Sequence, residues 1–113
     1  MQDPFYLAGT SIEDRFRVDS VVGEGGFGVV YRGQHLRFDH PIAIKCLKIP
    51  AHFTRDAREL FLQRFREEGK ILLRLGDAPG VPRVFDYGVI ERAGAHIPSL
   101  VMEWLDVPPL EAM

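Results

Sequence analysis

Lys45 stands in an otherwise apolar stretch, Ala43-Ile44-Lys45-Cys46-Leu47, and follows a glycine-rich run, Gly23-Glu24-Gly25-Gly26-Phe27-Gly28-Val29-Val30. Without a Cβ, glycine lets backbone amides approach a ligand closely, and a run of such amides cradles anions. A single inward cation on the strand beyond that loop would meet whatever the loop covers. The chemistry open to these residues is holding and neutralising the phosphates of a nucleoside triphosphate. Phe27 at the loop tip would help shield those phosphates from water.

A second charge falls where an apolar side chain is expected. Steps of four, three, four and three from Phe61 give Phe61, Phe65, Glu68, Leu72 and Leu75, one face of a helix. An unpaired carboxylate there is costly. Lys45 shares its strand face with Ala43 and Leu47. Two opposite charges on faces that should be buried satisfy one another most economically. The bland alternative is that each snorkels to the rim of a small core and stays solvated. Glu67 falls off the apolar face and reads as a solvated charge.

The elements that must position these residues follow from periodicity and breakers. Residues 1–14 read as a loose lead-in. Arg15 to Val22 alternates in part, with Phe16, Val18 and Val22 as inward candidates of a first strand. The glycines turn a hairpin, and Val29-Val30-Tyr31-Arg32-Gly33 begins a second strand. Phe38-Asp39-His40-Pro41 is a turn, Ile42 to Leu47 a third strand, and Pro50 ends it. Asp56 to Leu75 is one long helix, with Gln63, Arg64, Arg66, Lys70 and Arg74 mostly off its apolar face. Gly76-Asp77-Ala78-Pro79-Gly80 stops it. Two strands follow, roughly Arg83–Ile90 and Ile97–Met102, joined by Glu91-Arg92-Ala93-Gly94. Three strands, a helix and two strands make an antiparallel α+β unit.

That context bears on the glycine loop, since Gly-x-Gly-x-x-Gly alone is weak evidence. A Rossmann fingerprint needs a helix directly after the last glycine, but Val29-Val30-Tyr31 opens a strand. A Walker A loop needs Gly-Lys-Ser/Thr, and Gly28 precedes Val29. A purely structural glycine hairpin stays open, beside a hairpin lying over a nucleotide.

Composition narrows the classes further. The chain has 113 residues, 46% hydrophobic and 27% charged, which suits one globular domain or one lobe. With 14 basic and 16 acidic residues, there is no electrostatic case for nucleic acid or a membrane surface. His35, His40, His52 and His96 are scattered, and no Cys/His cluster has metal-ligand spacing. Cys46 is the only cysteine, which points to a reducing compartment and a small buried hydrophobe. The N-terminus lacks the pattern of a signal peptide, and the apolar runs fall short of a membrane span.

Taken together, the residues resemble the N-terminal lobe of a eukaryotic-type protein kinase, in style closest to bacterial serine/threonine kinases. The match lies in the glycine loop with its following valines, in Ala43-Ile44-Lys45, in Glu68 within Phe65-Arg66-Glu67-Glu68-Gly69-Lys70-Ile71-Leu72, and in Leu100-Val101-Met102-Glu103-Trp104-Leu105. It runs from about residue 15 to 110. The resemblance implies a five-stranded antiparallel sheet with one long helix between the third and fourth strands. It divides the chain into a lead-in (1–14), the lobe (15–105) and a hinge with the start of a second lobe (106–113).

Carried over residue by residue, the resemblance makes Val22, Val30 and Ala43 the roof over an adenine ring and Met102 the gatekeeper behind it. The backbones of Glu103 and Leu105 would meet the adenine edge. Gly23, Glu24, Gly25, Gly26, Phe27 and Gly28 would cover the phosphates. Lys45 and Glu68 take the catalytic positions, Lys45 on the α- and β-phosphates and Glu68 holding it, with Leu72 and Val84 stacked behind. The ligand implied is ATP, with Mg2+ only in a complete enzyme, and no metal site is assigned here.

Three departures from the family qualify the expectation. Extra residues surround Ala51–Arg58. Gly69 follows Glu68 inside the helix, at a cost of about 1 kcal/mol against alanine. The His-Arg-Asp, Asp-Phe-Gly and Ala-Pro-Glu motifs, which supply the catalytic aspartate, magnesium ligands and substrate platform, are absent. The expectation is therefore a truncated ATP-binding lobe of a protein serine/threonine kinase, cytoplasmic and inactive alone, whose complete enzyme phosphorylates protein hydroxyls. Exposed Leu105, Val107 and Leu110 would invite self-association. The alternatives are a non-catalytic, pseudokinase-like interaction module and a metabolite kinase with the same lobe.

Overall fold

Along Gly28–His35 (β3), Val29, Tyr31 and His35 are buried while Arg32 is exposed, the period of two expected of a strand with distinct faces. The structure, a computed structural model, describes residues 3–25, 28–50, 52–76, 78–92 and 95–104. Preceding β3 are Ser11–Ile12 (β1) and Phe16–Glu24 (β2). Following it are His40–Leu47 (β4), the helix Arg55–Leu75 (α1), Val84–Arg92 (β5) and Ala95–Glu103 (β6). Among the described residues six strands form one antiparallel sheet in the order β1-β2-β3-β4-β6-β5.

The sheet has six strands where sequence predicts five. The additional one is β1, two residues pairing Ser11 with Arg17 and Ile12 with Phe16. It is too short to show a period, so the lead-in reads as structureless from sequence alone.

One face of the sheet carries the larger core: Phe16, Val18, Val29, Tyr31, Ile42, Ile44, Cys46, Ile97 and Val101. The sheet curls around these side chains until strands far apart in its order meet. Arg15 reaches Asp86 (Nη1 to Oδ2, 3.2 Å), and the His35 ring lies against Phe16 at 5.1 Å and Phe85 at 5.6 Å. The lead-in is not loose. Leu7 is a buried member of this core, and Arg92 Nη2 donates to the Tyr6 carbonyl at 3.0 Å. Asp3 accepts from the Tyr31 hydroxyl and, at 2.7 Å, from the Ala8 amide. Burial pushes the Asp3 carboxyl up, but the Tyr31 hydroxyl and the amides of Ala8, Leu7 and Phe5 outweigh it and hold it below its usual value. Cys46 is wholly buried, and burial, with the Asp3 charge, pushes its thiol up to about 12. It serves as core packing.

Sequence places Val22 inward with Phe16 and Val18, but Val22 is exposed and Val21 packs against the core instead. The β2–β3 register shifts between Val18 and Ser20 and again between Val21 and Gly23. Each irregularity resets which face the next side chain takes. Gly33 lies beside the first shift, where a Cβ would stand 2.0 Å from the Arg17 carbonyl oxygen.

The helix packs on the opposite face. Thr54 caps it by accepting from the Ala57 amide at 3.2 Å, and Gly76, at φ +40°, ends it by donating to the Leu72 carbonyl at 3.1 Å. Phe65 is buried against Leu47 and Leu100, with Phe61, Leu62, Leu72, Val84 and Met102 around them. Leu75 is exposed, although helical spacing groups it with Phe65 and Leu72, because it lies in the last turn. Gly69 is buried over Leu100.

Candidate functional site

Strand register sets the site. Val30 pairs with Lys45 and Lys45 with Leu100; one row away, Arg32 pairs with Ala43 and Ala43 with Met102. Directly opposed residues share a face, so Lys45 emerges on the helix side. From α1 Glu68 comes to meet it, with Nζ and Oε1 2.7 Å apart. Both side chains are partly exposed, 33% and 45%. Glu67 turns away and pairs with Lys70 at 3.8 Å.

Above the ion pair lies the β2–β3 hairpin. Its arms are joined by a hydrogen bond from the Gly25 amide to the Gly28 carbonyl at 2.8 Å. Glu24 meets Lys48 at 3.0 Å, which ties the hairpin to the residue after β4. Hairpin, β4 and helix enclose a cleft of about 440 Å³ lined by Gly25, Gly28, Val30, Lys45, Leu47, Phe61, Arg64, Phe65 and Glu68.

The fold itself does not demand glycine at the described loop positions. A Cβ at Gly23 or Gly25 would meet nothing within 4 Å, and one at Gly28 would make ordinary contacts, 3.5 Å from the Cys46 carbonyl oxygen and 4.0 Å from Lys45 Cε. Glycines 23, 25 and 28 also do not have the positive φ that favours glycine. The contrast with Gly33 is plain: there the packing excludes a side chain, and in the hairpin it does not.

Of the residues expected from sequence, Lys45, Glu68, Gly25, Gly28 and Val30 converge on this cleft. Gly23 and Glu24 are in the adjoining hairpin arm. Val22, Ala43, Met102 and Glu103 do not line the cleft. Ala43 and Met102 are cross-strand neighbours, Met102 packing with the helix-side cluster. The Glu103 amide donates to the Arg83 carbonyl at 2.7 Å, and its carboxylate lies 3.7 Å from His40 Nε2. Gly26, Phe27 and Leu105, with Val107 and Leu110, lie outside the described residues.

The cleft also contains side chains that sequence reading left out. Phe61 and Phe65 read as plain core, and Arg64 as an outward charge. The signal for Arg64 was its spacing: it lies one helical turn before Glu68, so the two share a strip of helix surface. Just past the end of β6, the Arg32 guanidinium stacks 5.1 Å from the Trp104 ring centroid. Among the described residues, no group of three or more His, Cys, Asp or Glu could hold a metal ion, and no helix is long and apolar enough to cross a membrane.

Comparison with known proteins places this geometry in context. The chain is 36% identical over 105 residues to the serine/threonine-protein kinase PknL of Mycobacterium bovis, covering 93% of this chain and 24% of that protein. It is 31% identical over 106 residues to PknA of Mycobacterium tuberculosis, covering 93% and 23%. Over 92 residues it is 33% identical to the probable serine/threonine-protein kinase PknB of Corynebacterium glutamicum, covering 81% and 14%. The chain thus spans about a quarter or less of the length of these relatives. No family model matches it.

Proposed function

We propose that this chain, similar to bacterial serine/threonine-protein kinases over 93% of its length, is the N-terminal lobe of such a kinase, that its cleft binds the phosphates of ATP and that Lys45 is the cation that holds them. The observation that carries this reading is the Lys45–Glu68 pair beneath a hairpin whose glycines at 23, 25 and 28 the packing does not require. Side chains there would fit the fold but would stand between the backbone amides and an anion. Glu68 positions the ammonium. Val30 and Ala43, with Val22, would cover the base, and Met102 would stand behind it. With its amide committed to Arg83, Glu103 would offer a base its carbonyl.

In a complete enzyme the reaction would be transfer of the γ-phosphoryl of Mg-ATP to a serine or threonine hydroxyl of a protein. The residues here do positioning and electrostatic work, the larger part of catalysis in phosphoryl transfer. The 113 residues hold no His-Arg-Asp or Asp-Phe-Gly motif, so the prediction for them concerns binding alone.

Calorimetric titration of the 113-residue chain with Mg-ATP tests the reading. Wild type should bind, and Lys45→Met should weaken binding by about tenfold or more, the loss of one charge-assisted contact. Equal affinity in the two proteins, or no binding by wild type, would defeat it. The second outcome, joined to stoichiometric capture of a protein partner, would favour a non-catalytic interaction module.

A further inference from the structure

The curl of the sheet brings its two edge strands, β1 and β5, alongside each other without pairing them among the described residues. At one end Arg15, just past β1, reaches Asp86 of β5 at 3.2 Å; at the other Arg92 of β5 donates to the Tyr6 carbonyl at 3.0 Å. Long side chains make both contacts, so the two backbones stand apart. Between them is a cavity of about 360 Å³, lined by residues 10–13 around β1, residues 89–92 of β5 and the buried Leu7. None of these residues lines the cleft under the glycine hairpin.

The phase of the ladders decides which backbone groups face this cavity. Val89 pairs with Pro98, and proline has no N–H to give. That pair is therefore a non-hydrogen-bonded position of the antiparallel ladder, and Val89 turns its own N–H and C=O away from β6. Tyr87, two residues earlier, agrees: its amide donates to Asp86 Oδ1 at 2.9 Å. Glu91, two residues later, has the same phase. Across the cavity the Thr10 carbonyl accepts from the Val18 amide at 2.8 Å, so Ser11, the next residue, faces away from β2. Among the described residues no backbone hydrogen bond reaches Ser11, Val89 or Glu91 from outside the ladders. Two strand edges thus present donors and acceptors to one groove.

The side chains add a preference. Leu7 and Ile90 are buried, and Ile12 packs against the same core, so the inner side of the groove is apolar. Glu13 and Glu91 stand on the outer side with 67% and 77% of their side chains exposed. The one lining cation, Arg92, is held at the Tyr6 carbonyl. An edge of four residues is about 13 Å long, room for about four residues of extended chain.

We propose that the groove between β1 and β5 binds an extended segment of a partner protein by strand addition, one in which apolar residues alternate with lysine or arginine. The segment would bond Val89 and Glu91 on one side and Ser11 on the other, its apolar residues inward and its cations beside Glu13 and Glu91. β1 and β5 run in opposite directions, so a strand between them is antiparallel to one and parallel to the other. Antiparallel pairing is the more stable, and β5 offers the longer edge, so the segment runs antiparallel to β5.

The test is titration of the labelled 113-residue chain with acetyl-Lys-Val-Lys-Val-Lys-amide, with the glutamate counterpart of that peptide, and with two forms N-methylated at alternate residues, one in each phase. Each methylated form keeps the side chains and loses the donors facing one edge. The expected result is saturable binding of the lysine peptide that slows amide exchange at Ser11, Val89 and Glu91, with weaker binding of the glutamate peptide and loss of binding on methylation. Glu91→Lys, at an exposed position, should keep the wild-type thermal midpoint and weaken the lysine peptide up to about fivefold. Equal binding of methylated and unmethylated peptides would reduce the effect to surface charge and overturn the proposal. So would no binding at millimolar peptide, or protection confined to other strands. Amides at Val89 and Glu91 already protected without peptide, in a chain that sedimentation shows to be dimeric, would make a second copy the occupant and equally overturn it.

Discussion

An ion pair between partly exposed side chains contributes only about 0–1 kcal/mol to stability, so the 2.7 Å contact of Lys45 with Glu68 matters for position more than for folding. Glu68→Gln keeps the shape and removes the charge that holds the ammonium. We expect it to change unfolding free energy by less than about 1 kcal/mol while lowering Mg-ATP affinity several-fold, as read from urea denaturation and calorimetry on one preparation. Large destabilisation with unchanged affinity would make the pair a structural clamp. Both residues are legible from sequence because each breaks the period of an apolar face. Arg64 breaks no pattern: a charge on a helix is ordinary, and only the folded chain shows that it lines the same cleft as Lys45.

At the scale of elements, two glycines outside the loop have opposite consequences. At Gly33 a Cβ would stand 2.0 Å from the Arg17 backbone oxygen, and backbone cannot move aside cheaply. Gly33→Ala should destabilise by about 3 kcal/mol, the upper range for overpacking. Gly69 resembles a defect in the helix, yet a Cβ there would lie 3.4 Å from Leu100 Cδ1, an ordinary contact. Gly69→Ala should therefore stabilise by up to about 1 kcal/mol through helix propensity; a loss on chemical denaturation would mean that the helix–sheet contact cannot give. The helix, the glycine hairpin and the central strands were readable from spacing and breakers. The exposure of Val22 was not, because the register shifts in β2 depend on the partner strand. Neither was β1, whose two residues owe their conformation to pairing with Arg17 and Phe16.

For the whole molecule, closure of the curled sheet depends on a segment that sequence leaves unstructured. Leu7 fills the core, and Leu7→Ala should cost about 3 kcal/mol on urea denaturation, within the usual range for a buried leucine. Asp3 adds a pH dependence. Its carboxyl is held below 3.8 in the fold, so its contribution is present above its unfolded value and disappears as pH falls through the folded one. Asp3→Asn should be less stable than wild type at pH 7, and the difference should shrink on acidification below about pH 4; a constant difference would detach Asp3 from the acid limb. The lead-in's role is legible only once the curled sheet brings Tyr31 and Arg92 beside it. In the proposed function, nucleotide phosphates sit between the hairpin and Lys45. Its most direct measurement is a map of backbone amide shifts on adding Mg-ATP to the labelled 113-residue chain. The largest changes should fall at Gly23–Val30 and at Lys45 to Leu47, with small ones at β1 and β5. Changes confined to β1 and β5, or none at saturating nucleotide, would contradict it.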